Sequence, residues 1–472
     1  MRKTLVSGLL LATTACSVGP RYVRPAVPPA TQGDFVTAVP GATADTGPGP
    51  QWWTIYDDPA LDELITLALA ANTDLRVAVA NLKAADAVLG EARDARLPQT
   101  TLTGQGTYGR TQPPLYLPGD RFSGVGGFQL SYEVDLFGRV SRSIEAARAD
   151  AGAAAFARGA VQLRVVAAVT DAYLSACAAS EAIAAAKSSI ELTTQSARII
   201  GQQQHAGSAS ELDVARAEGQ LAEARAALAP YENARSASLF ELAALLGRPP
   251  LQVPDAAARC GSPPEPHHTI PIGDGARLLK RRPDVAEAER RLAAATARIG
   301  VATADLYPRI SLGGSVAQAG GDGIGQKQGL IFGVGPMASV SFPNFGAARA
   351  RVRQSKAHAE AALATFDGVV LTAMKETEQA LSGYSTALSR QGDLRIARER
   401  AEQAFQLADH RYRAGSIAYI DVLVAQSELV RARLAVAEQD RVVASGLVTV
   451  FRALGGGWSP PEIAPSKAGA IG

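Results

Sequence analysis

The sequence predicts an α+β protein made of two copies of one unit, each with a pair of strands and a long helical hairpin. One observation is an internal repeat, in which residues 205–214 return as residues 413–422, so that Gly207 becomes Gly415, 208 positions later. The other is that long proline-free spans alternate with short segments whose apolar residues recur at every second position. A repeat of this kind indicates one supersecondary unit that occurs twice.

The repeat divides the chain into segments. Residues 72–247 form the first unit and residues 283–455 the second. The remaining segments are rich in proline or small residues, which is typical of connections. They are listed in chain order: 1–15, 16–71, 248–282 and 456–472.

The first unit begins with a helix at residues 72–96, which Pro98 ends, and continues with strands at 100–109 and 126–137. The second strand alternates strictly between two faces. Its apolar face holds Phe128, Leu130, Tyr132, Val134 and Leu136, and its polar face holds Gln129, Ser131, Glu133 and Asp135. This period of two is that of a β-strand with one apolar side.

The helical hairpin of the first unit covers residues 140–246, which are rich in good helix formers. We expect a helix at 140–204, a turn at Gly207 and Ser208, and one unbroken helix at 211–246. Gly207 suits a left-handed turn position, and Ser210 can cap the helix that follows. The second unit repeats this layout, with a helix at 284–305, strands at 309–317 and 331–342, and a hairpin at 346–454 that turns at Gly415 and Ser416.

The strands favour a membrane location. An alternating strand that faces a soluble core is the commoner case, and a soluble coiled-coil rod would explain the helices alone. However, the strands have the length of transmembrane strands, and helices that project away leave their apolar face uncovered. A sheet in lipid has to close. Eight strands from two chains would fill the interior with side chains, whereas twelve from three chains leave room for water, so we expect a homotrimeric, 12-stranded barrel.

The N-terminus indicates export. Arg2 and Lys3 precede an apolar stretch that ends at Cys16, which is the layout of a short secretory signal over residues 1–15. A cysteine at this point resembles the bacterial lipoprotein box, although Thr13 departs from its usual residue. We therefore expect a covalent lipid on Cys16.

Composition argues against several functions. The formal net charge of +2 falls to zero without Arg2 and Lys3, so nucleic acid is not an expected partner. Cys177 is predicted in mid-helix and Cys260 in a loop, and no disulfide is expected between them. His267 and His268 have no acid or thiol at ligand spacing, so neither a metal site nor a cofactor is predicted. No nucleophile–base arrangement is visible, and we expect no enzyme.

Several segments together resemble one known family. They are residues 16–25, 52–61, 411–415, 420–423 and 453–458. They are similar to the TolC-like outer-membrane efflux proteins, in the lipoprotein branch of OprM and NodT type. The resemblance implies a trimer with a 12-helix periplasmic tunnel, and an equatorial collar to which residues 16–71, 248–282 and 456–472 contribute.

The resemblance also implies a function and partners. The chain is expected to be the outer-membrane exit duct of a tripartite, proton-driven efflux system for drugs or other small toxic compounds. Its partners would be a periplasmic adaptor, an inner-membrane RND-type transporter and outer-membrane lipid. One alternative is the duct of an ATP-driven type I protein exporter. Another is a periplasmic structural lipoprotein with no channel.

In related channels, polar contacts between helices near the periplasmic turns keep the tunnel closed. The matching residues are Asp213, Tyr412 and Asp421, with Leu212 and Ile420 as an apolar constriction. Helix capping is the alternative role for both aspartates. The turns at Gly207, Ser208, Gly415 and Ser416 are expected to contact the adaptor. Ile417 and Val424 depart from the family, because relatives carry an arginine and an acidic residue there.

Overall fold

The computed structural model describes residues 17–31, 33–43, 47–110, 119–266, 269–321, 329–340 and 345–460. The predicted signal, Cys16, the histidine pair at 267–268, Phe342 and most of the C-terminal tail therefore lie outside the described residues.

Long helices dominate the described chain. The α-helices are α1 (Pro59–Ala71), α2 (Thr73–Asp94), α3 (Arg139–His205), α4 (Glu211–Ala226), α5 (Leu228–Leu245), α6 (Asp255–Ala258), α7 (Gly275–Arg281), α8 (Pro283–Ala304), α9 (Phe345–Arg413) and α10 (Tyr419–Ala453). The strands are β1 (Ala42–Thr43), β2 (Gln99–Gly109), β3 (Arg121–Val134), β4 (Ile270–Pro271), β5 (Arg309–Gly321) and β6 (Gly329–Ser339). The helices α2, α3 and α8 begin and end within two residues of the predicted bounds.

The single helix predicted over residues 211–246 is wrong, because the chain breaks it into α4 and α5 at Ala227. Pro230 explains the break, since it has no amide hydrogen for the carbonyl of Ala226 and its ring crowds that carbonyl. Ala227 keeps helical angles, with φ −67° and ψ −17°, so the chain bends without leaving the helical region. The matching position in the second unit is Glu438, and α10 is unbroken there.

Strands β2, β3, β5 and β6 form one antiparallel sheet in that order. The predicted bounds were partly wrong. Strand β3 begins at Arg121, opposite Gly109, and stops at Val134. It stops there because the next residue, Asp135, turns to cap α3, accepting hydrogen bonds from the amides of Val140 (2.9 Å) and Ser141 (2.8 Å).

The other hairpin shows similar shifts. Strand β5 extends beyond its predicted end to Gly321, since it continues to pair with β3 as far as Ser123. Strand β6 ends at Ser339, where its pairing with Arg309 ends. Val340 therefore lies outside the strand in which we had placed it.

The register confirms the two predicted faces of the sheet. Phe128 lies opposite both Leu102 and Val316, and Val316 lies opposite Phe332. Residues directly opposite each other point to the same face, so this face is apolar across all four strands. Nothing in the described chain covers it well, because Leu102 is 84% exposed, Phe332 77% and Val334 82%.

By its internal contacts the chain forms two compact units, each drawn from both repeats. One combines Met1–Pro25, Asn81–Ala155 and Glu287–Gly368 and contains the four-stranded sheet. The other combines Ala26–Ala80, Phe156–Ala286 and Val369–Gly472 and contains the largest apolar core. In that core Trp52 stacks on Phe451, with ring centroids 4.5 Å apart.

Arg282 has a buried guanidinium that joins three segments of the chain: the start of α8, α9 and the end of α10. Its Nη2 lies 2.6 Å from Asp284 and 2.8 Å from Glu376 on α9. Its Nη1 donates to the carbonyl of Ala453 at the end of α10, at 3.1 Å. Burial lowers the pKa of Arg282, but hydrogen bonds and charge from the two carboxylates outweigh it, so the net pKa is raised. The Arg282 guanidinium therefore remains charged at any physiological pH.

Contrary to the prediction, Cys177 and Cys260 form a disulfide, with their Cα atoms 5.0 Å apart. Helix α5 returns alongside α3 and brings the loop after it to Cys177. Arg235 of α5 marks this approach, because it donates to Ser180 Oγ of α3 (3.0 Å) and to the carbonyl of Ala258 (2.6 Å). A separation of 83 residues hid the pairing from the sequence.

We predict that the double variant Cys177→Ser, Cys260→Ser is about 2–4 kcal/mol less stable, because the bond constrains a long loop in the unfolded chain. The measurement is denaturant unfolding of the detergent-solubilised protein, with and without reductant. Reductant should destabilise the parent and leave the double variant unchanged. Equal stability of the oxidised parent and the variant would contradict this role.

Candidate functional site at the paired turns

The two hairpin turns share one backbone geometry. Gly207 and Gly415 have φ of 77° and 71°, in the left-handed region that favours glycine. The amide of Ser208 donates to the carbonyl of Gln203 at 2.8 Å, and Ser416 repeats this bond to Arg411 at 2.9 Å. These bonds satisfy carbonyls at the helix ends. The predicted left-handed Gly207 is confirmed, and all four predicted turn residues are exposed.

The first turn leads into a capped helix. The amide of Asp213 donates to Ser210 Oγ at 3.3 Å, and the carboxylate of Asp213 accepts from the Ser210 amide at 3.1 Å, which completes a capping box. The Ser210 hydroxyl also donates to that carboxylate, at 2.7 Å. These bonds lower the pKa of Asp213. Its capping contribution is therefore present at neutral pH and is lost only on acidification below its ordinary value of about 3.9.

The second turn differs at the matching position. Ala418 stands where Ser210 stands in the first unit, and α10 begins with no side-chain cap. The Asp421 carboxylate is exposed, and among the described residues no side chain bonds or pairs with it. The sequence allows helix capping by both aspartates, but of the two only Asp213 forms the side-chain cap.

Tyr412 is held within its own chain. Gln203 Nε2 of α3 donates to the Tyr412 hydroxyl, and the Tyr412 ring meets Tyr419 edge-on, with centroids 4.8 Å apart. Burial raises the pKa of Tyr419, so its hydroxyl stays protonated at neutral pH. Tyr412 and Asp213 were predicted at the same site, but within the described chain they do not form a hydrogen bond with each other. Gln203 was not among the predicted site residues, although it lies in a run of three glutamines just before the turn.

A small core joins the two hairpins beside these turns. It contains Ile200, Ala217 and Leu423, all almost fully buried. Ser196 Oγ of α3 donates to Gln426 Oε1 of α10 at 2.7 Å. Gln426 is fully buried, and its Nε2 has no partner among the described residues. This bridge was not predicted either, because the local sequence around a single glutamine does not show whether its side chain is buried.

Three apolar side chains lie on the surface near the turns. Leu212 is 57% exposed and Val424 is 55% exposed, while Ile420 is half-buried. Ile420 and Val424 are four residues apart on α10 and so share a face. Ile417 is half-buried within the second turn. Within the described parts of the chain, His, Cys, Asp and Glu form no group of three that could hold a metal ion.

Comparison with known proteins gives one consistent result. The family model described as outer membrane efflux protein matches residues 64–248 and 276–456, so that each segment includes one copy of the repeat. Outer membrane protein OprJ of Pseudomonas aeruginosa is 32% identical over an alignment that covers 96% of each chain. The probable efflux pump outer membrane protein TtgC of Pseudomonas putida is 31% identical over an alignment that covers 97% of this chain and 96% of that one.

A solved structure agrees. The outer-membrane channel OprN superimposes with a TM-score of 0.85 at 35% sequence identity, covering 94% of this chain and 100% of that chain.

We predict that Ala418→Ser builds the missing capping box with Asp421 and stabilises the start of α10 by about 1 kcal/mol, whereas Ser210→Ala weakens α4 by a similar amount. Amide hydrogen exchange at the first turns of the two helices measures both effects. Ser208→Ala, outside the cap, is the matched control. The prediction fails if Ala418→Ser leaves exchange at Ile420–Val422 unchanged.

Proposed function

Because the chain belongs to the outer membrane efflux protein family, we propose that it is the exit duct of a tripartite, proton-driven system exporting drugs or other small toxic compounds. The chain is an outer-membrane protein whose long helices belong to the periplasmic side. Proteins of this family such as OprN are channels, which agrees with a non-enzymatic role. The observation that carries the proposal is the four-stranded sheet with one uncovered apolar face and one polar face.

The two edge strands of the sheet support a trimer. Strands β2 and β6 each have a partner on one side within the chain. In lipid their free backbone groups require partners. We propose that β6 of one protomer pairs with β2 of the next, so that three chains close a 12-stranded barrel. The polar faces of the strands then line a water-filled pore, which twelve helices continue as a tunnel.

The collar proposal rests on contacts between distant segments. Strand β1 pairs with β4, which joins the N-terminal segment to the middle one, with Ala42 opposite Ile270. Trp458 Nε1 donates to the carbonyl of Arg281 at 3.1 Å, which joins the C-terminal segment to the same region. Residues 16–71, 248–282 and 456–472 are therefore proposed as the collar, and Cys16 as the site of a covalent lipid.

The proposed gate uses the differences between the two turns. The Asp421 carboxylate is exposed and unbonded within the described chain, so it can reach a neighbouring protomer without breaking a cap. Asp213 would have to leave its capping box, and Tyr412 would have to share its hydroxyl with Gln203. The exposed apolar Leu212, with Ile420 and Val424, would narrow the entrance. The turns at Gly207, Ser208, Gly415 and Ser416 would contact a periplasmic adaptor that serves an RND-type transporter.

Two measurements test this function against its alternatives. Single-channel conductance in a planar bilayer excludes the channel-free lipoprotein, which would conduct nothing. Dye efflux from cells that depend on this duct should stop when a protonophore removes the proton gradient. Secretion of a protein that instead depends on ATP hydrolysis would favour the type I exporter.

We predict that Leu130→Arg reduces barrel insertion, at a cost of about 2–4 kcal/mol near mid-membrane. The matched control is Ser131→Arg, one residue along β3, which should insert normally because Ser131 lies on the polar face. Heat-modifiable trimer on gels and reversible folding into vesicles measure the two effects. Equal damage from both variants would refute the assigned faces.

We predict that the variant Asp421→Asn, Tyr412→Phe has a higher resting conductance than the parent, because each contact repeats threefold in a trimer. The gain should exceed that of Asp213→Ala. Ser210→Ala is the control, since it breaks the cap but keeps the Asp213 carboxylate. If Ser210→Ala and Asp213→Ala conduct alike, Asp213 acts as a cap. Parent-like conductance of the double variant, in an assembled trimer, would exclude the polar latch and leave closure to Leu212 and Ile420.

A further inference from the structure

A cleft of about 290 Å³ lies in the compact unit that contains the largest apolar core. Helices α3, α9 and α10 contribute to its wall, and residues 262–266, the proline loop, cover one side. Three of the five residues of this loop are proline. Because proline fixes its own φ angle, the covering loop has few conformations to choose from.

The proline loop is fixed to the helices that it covers. Cys260, two residues before the loop, is bonded to Cys177 of α3. Glu181, which lines the cleft, lies about one turn further along α3. On α9, Arg395 Nη2 lies 3.7 Å from Glu265 Oε1 of the loop. The cleft is therefore formed in the chain as it folds, which is usual for sites that bind small molecules.

Negative charge dominates the cleft. Its lining includes Glu181, Glu265 and Asp440, with Arg395 as the cation among the described lining residues. Arg395 Nη2 lies 3.4 Å from Asp440 Oδ1, to which Gln391 Nε2 also donates, at 2.5 Å. Within the described chain, Glu181 has neither a hydrogen bond nor a salt bridge. Burial, followed by the charge of Asp440, raises the pKa of Glu181, so a cation beside it would stabilise its ionised form.

A buried hydroxyl without a partner lies in the same cleft. Tyr56 lines the cleft and is 2% exposed, and its hydroxyl makes no hydrogen bond among the described residues. Burial raises the pKa of Tyr56, so the hydroxyl stays protonated. A buried polar group without a partner is destabilising. A ligand that hydrogen-bonds to Tyr56 would remove this cost.

These groups suit an organic cation better than a metal ion. Among the described residues, His, Cys, Asp and Glu do not form a group of three that could hold a metal ion. An ammonium group donates up to three hydrogen bonds and can use one carboxylate together with one hydroxyl. Val443, Ala444 and Leu447 of α10 also line the cleft. These apolar side chains and the prolines suit an apolar body on the same ligand.

We propose that the cleft binds a small primary amine with an apolar body, whose ammonium group lies between Glu181 and Tyr56. The ammonium donates to the Glu181 carboxylate and to the Tyr56 oxygen, while the apolar body lies against α10 under the proline loop. Ligand pockets have volumes of roughly 300–1,000 Å³, so a one-ring amine suits a cleft of this size. Binding here requires no passage of solute and is independent of the proposed duct function.

Isothermal titration calorimetry of the full-length, detergent-solubilised protein tests the site. The probe is 2-phenylethylamine, and 2-phenylethanol is the uncharged ligand of similar shape. The parent should bind the amine roughly tenfold more tightly than the alcohol, and Glu181→Gln should lose about that factor for the amine alone. Glu191→Gln, at an exposed carboxylate of α3 that does not line the cleft, is the matched control and should bind as the parent.

Tyr56→Phe tests the second contact, because it keeps the ring and removes the hydroxyl. It should weaken amine binding about fivefold without lowering the melting temperature of the free protein, since the lost hydroxyl has no partner there. Amine binding no tighter than alcohol binding, or equal losses from Glu181→Gln and Glu191→Gln, would overturn the site. If Glu181→Gln fails to fold, Tyr56→Phe decides, and parent-like amine affinity in Tyr56→Phe would overturn the site. Bilayer conductance reports the channel separately.

Discussion

The structure depends on one constraint. A single chain with an open sheet and an uncovered apolar face is stable neither in water nor in lipid. Exposing its apolar face to water costs free energy. Exposing its two free edges to lipid also costs free energy, because the backbone groups there lack hydrogen-bond partners. The proposed closure through copies of the chain would satisfy both requirements. Within the described chain the apolar face of the sheet stays exposed, which leaves it to lipid in the proposed barrel.

The two repeats have similar backbone geometry at their turns, but the first contains stabilising features that the second lacks. Both turns use the same glycine conformation and the same hydrogen bonds. The first hairpin has in addition a disulfide and a capping box, together with the bend at Pro230. The matching positions of the second unit are Ser385, Ala418 and Glu438. The last helix of the second hairpin, α10, is therefore unbroken and begins without a side-chain cap. Its Asp421 makes no such cap and is exposed.

Polar groups join the helix ends in addition to apolar packing. Arg282 bridges the start of α8 to α9 and to the carbonyl of Ala453 at the end of α10. Gln203 and Ser196 bridge α3 to the second hairpin near the turns. Alanine-rich helices bury little area per residue, so such bridges fix which helices lie side by side. Their cost is that removing one partner leaves the other buried and unsatisfied.

The sequence by itself determined the repeat, the positions of the long helices and the two faces of the sheet. These features depend on local periodicity, on proline and on glycine, which act over a few residues. The tertiary structure alone decided the Cys177–Cys260 bond, the engagement of Tyr412 by Gln203 and the burial of Gln426. Each of these joins residues 83 to 230 positions apart, and no local pattern specifies which helices become neighbours. The difference in capping between Asp213 and Asp421 lies between these two cases. The sequence shows Ser210 at one position and Ala418 at the matching one, and the structure shows that the capping box forms at Asp213.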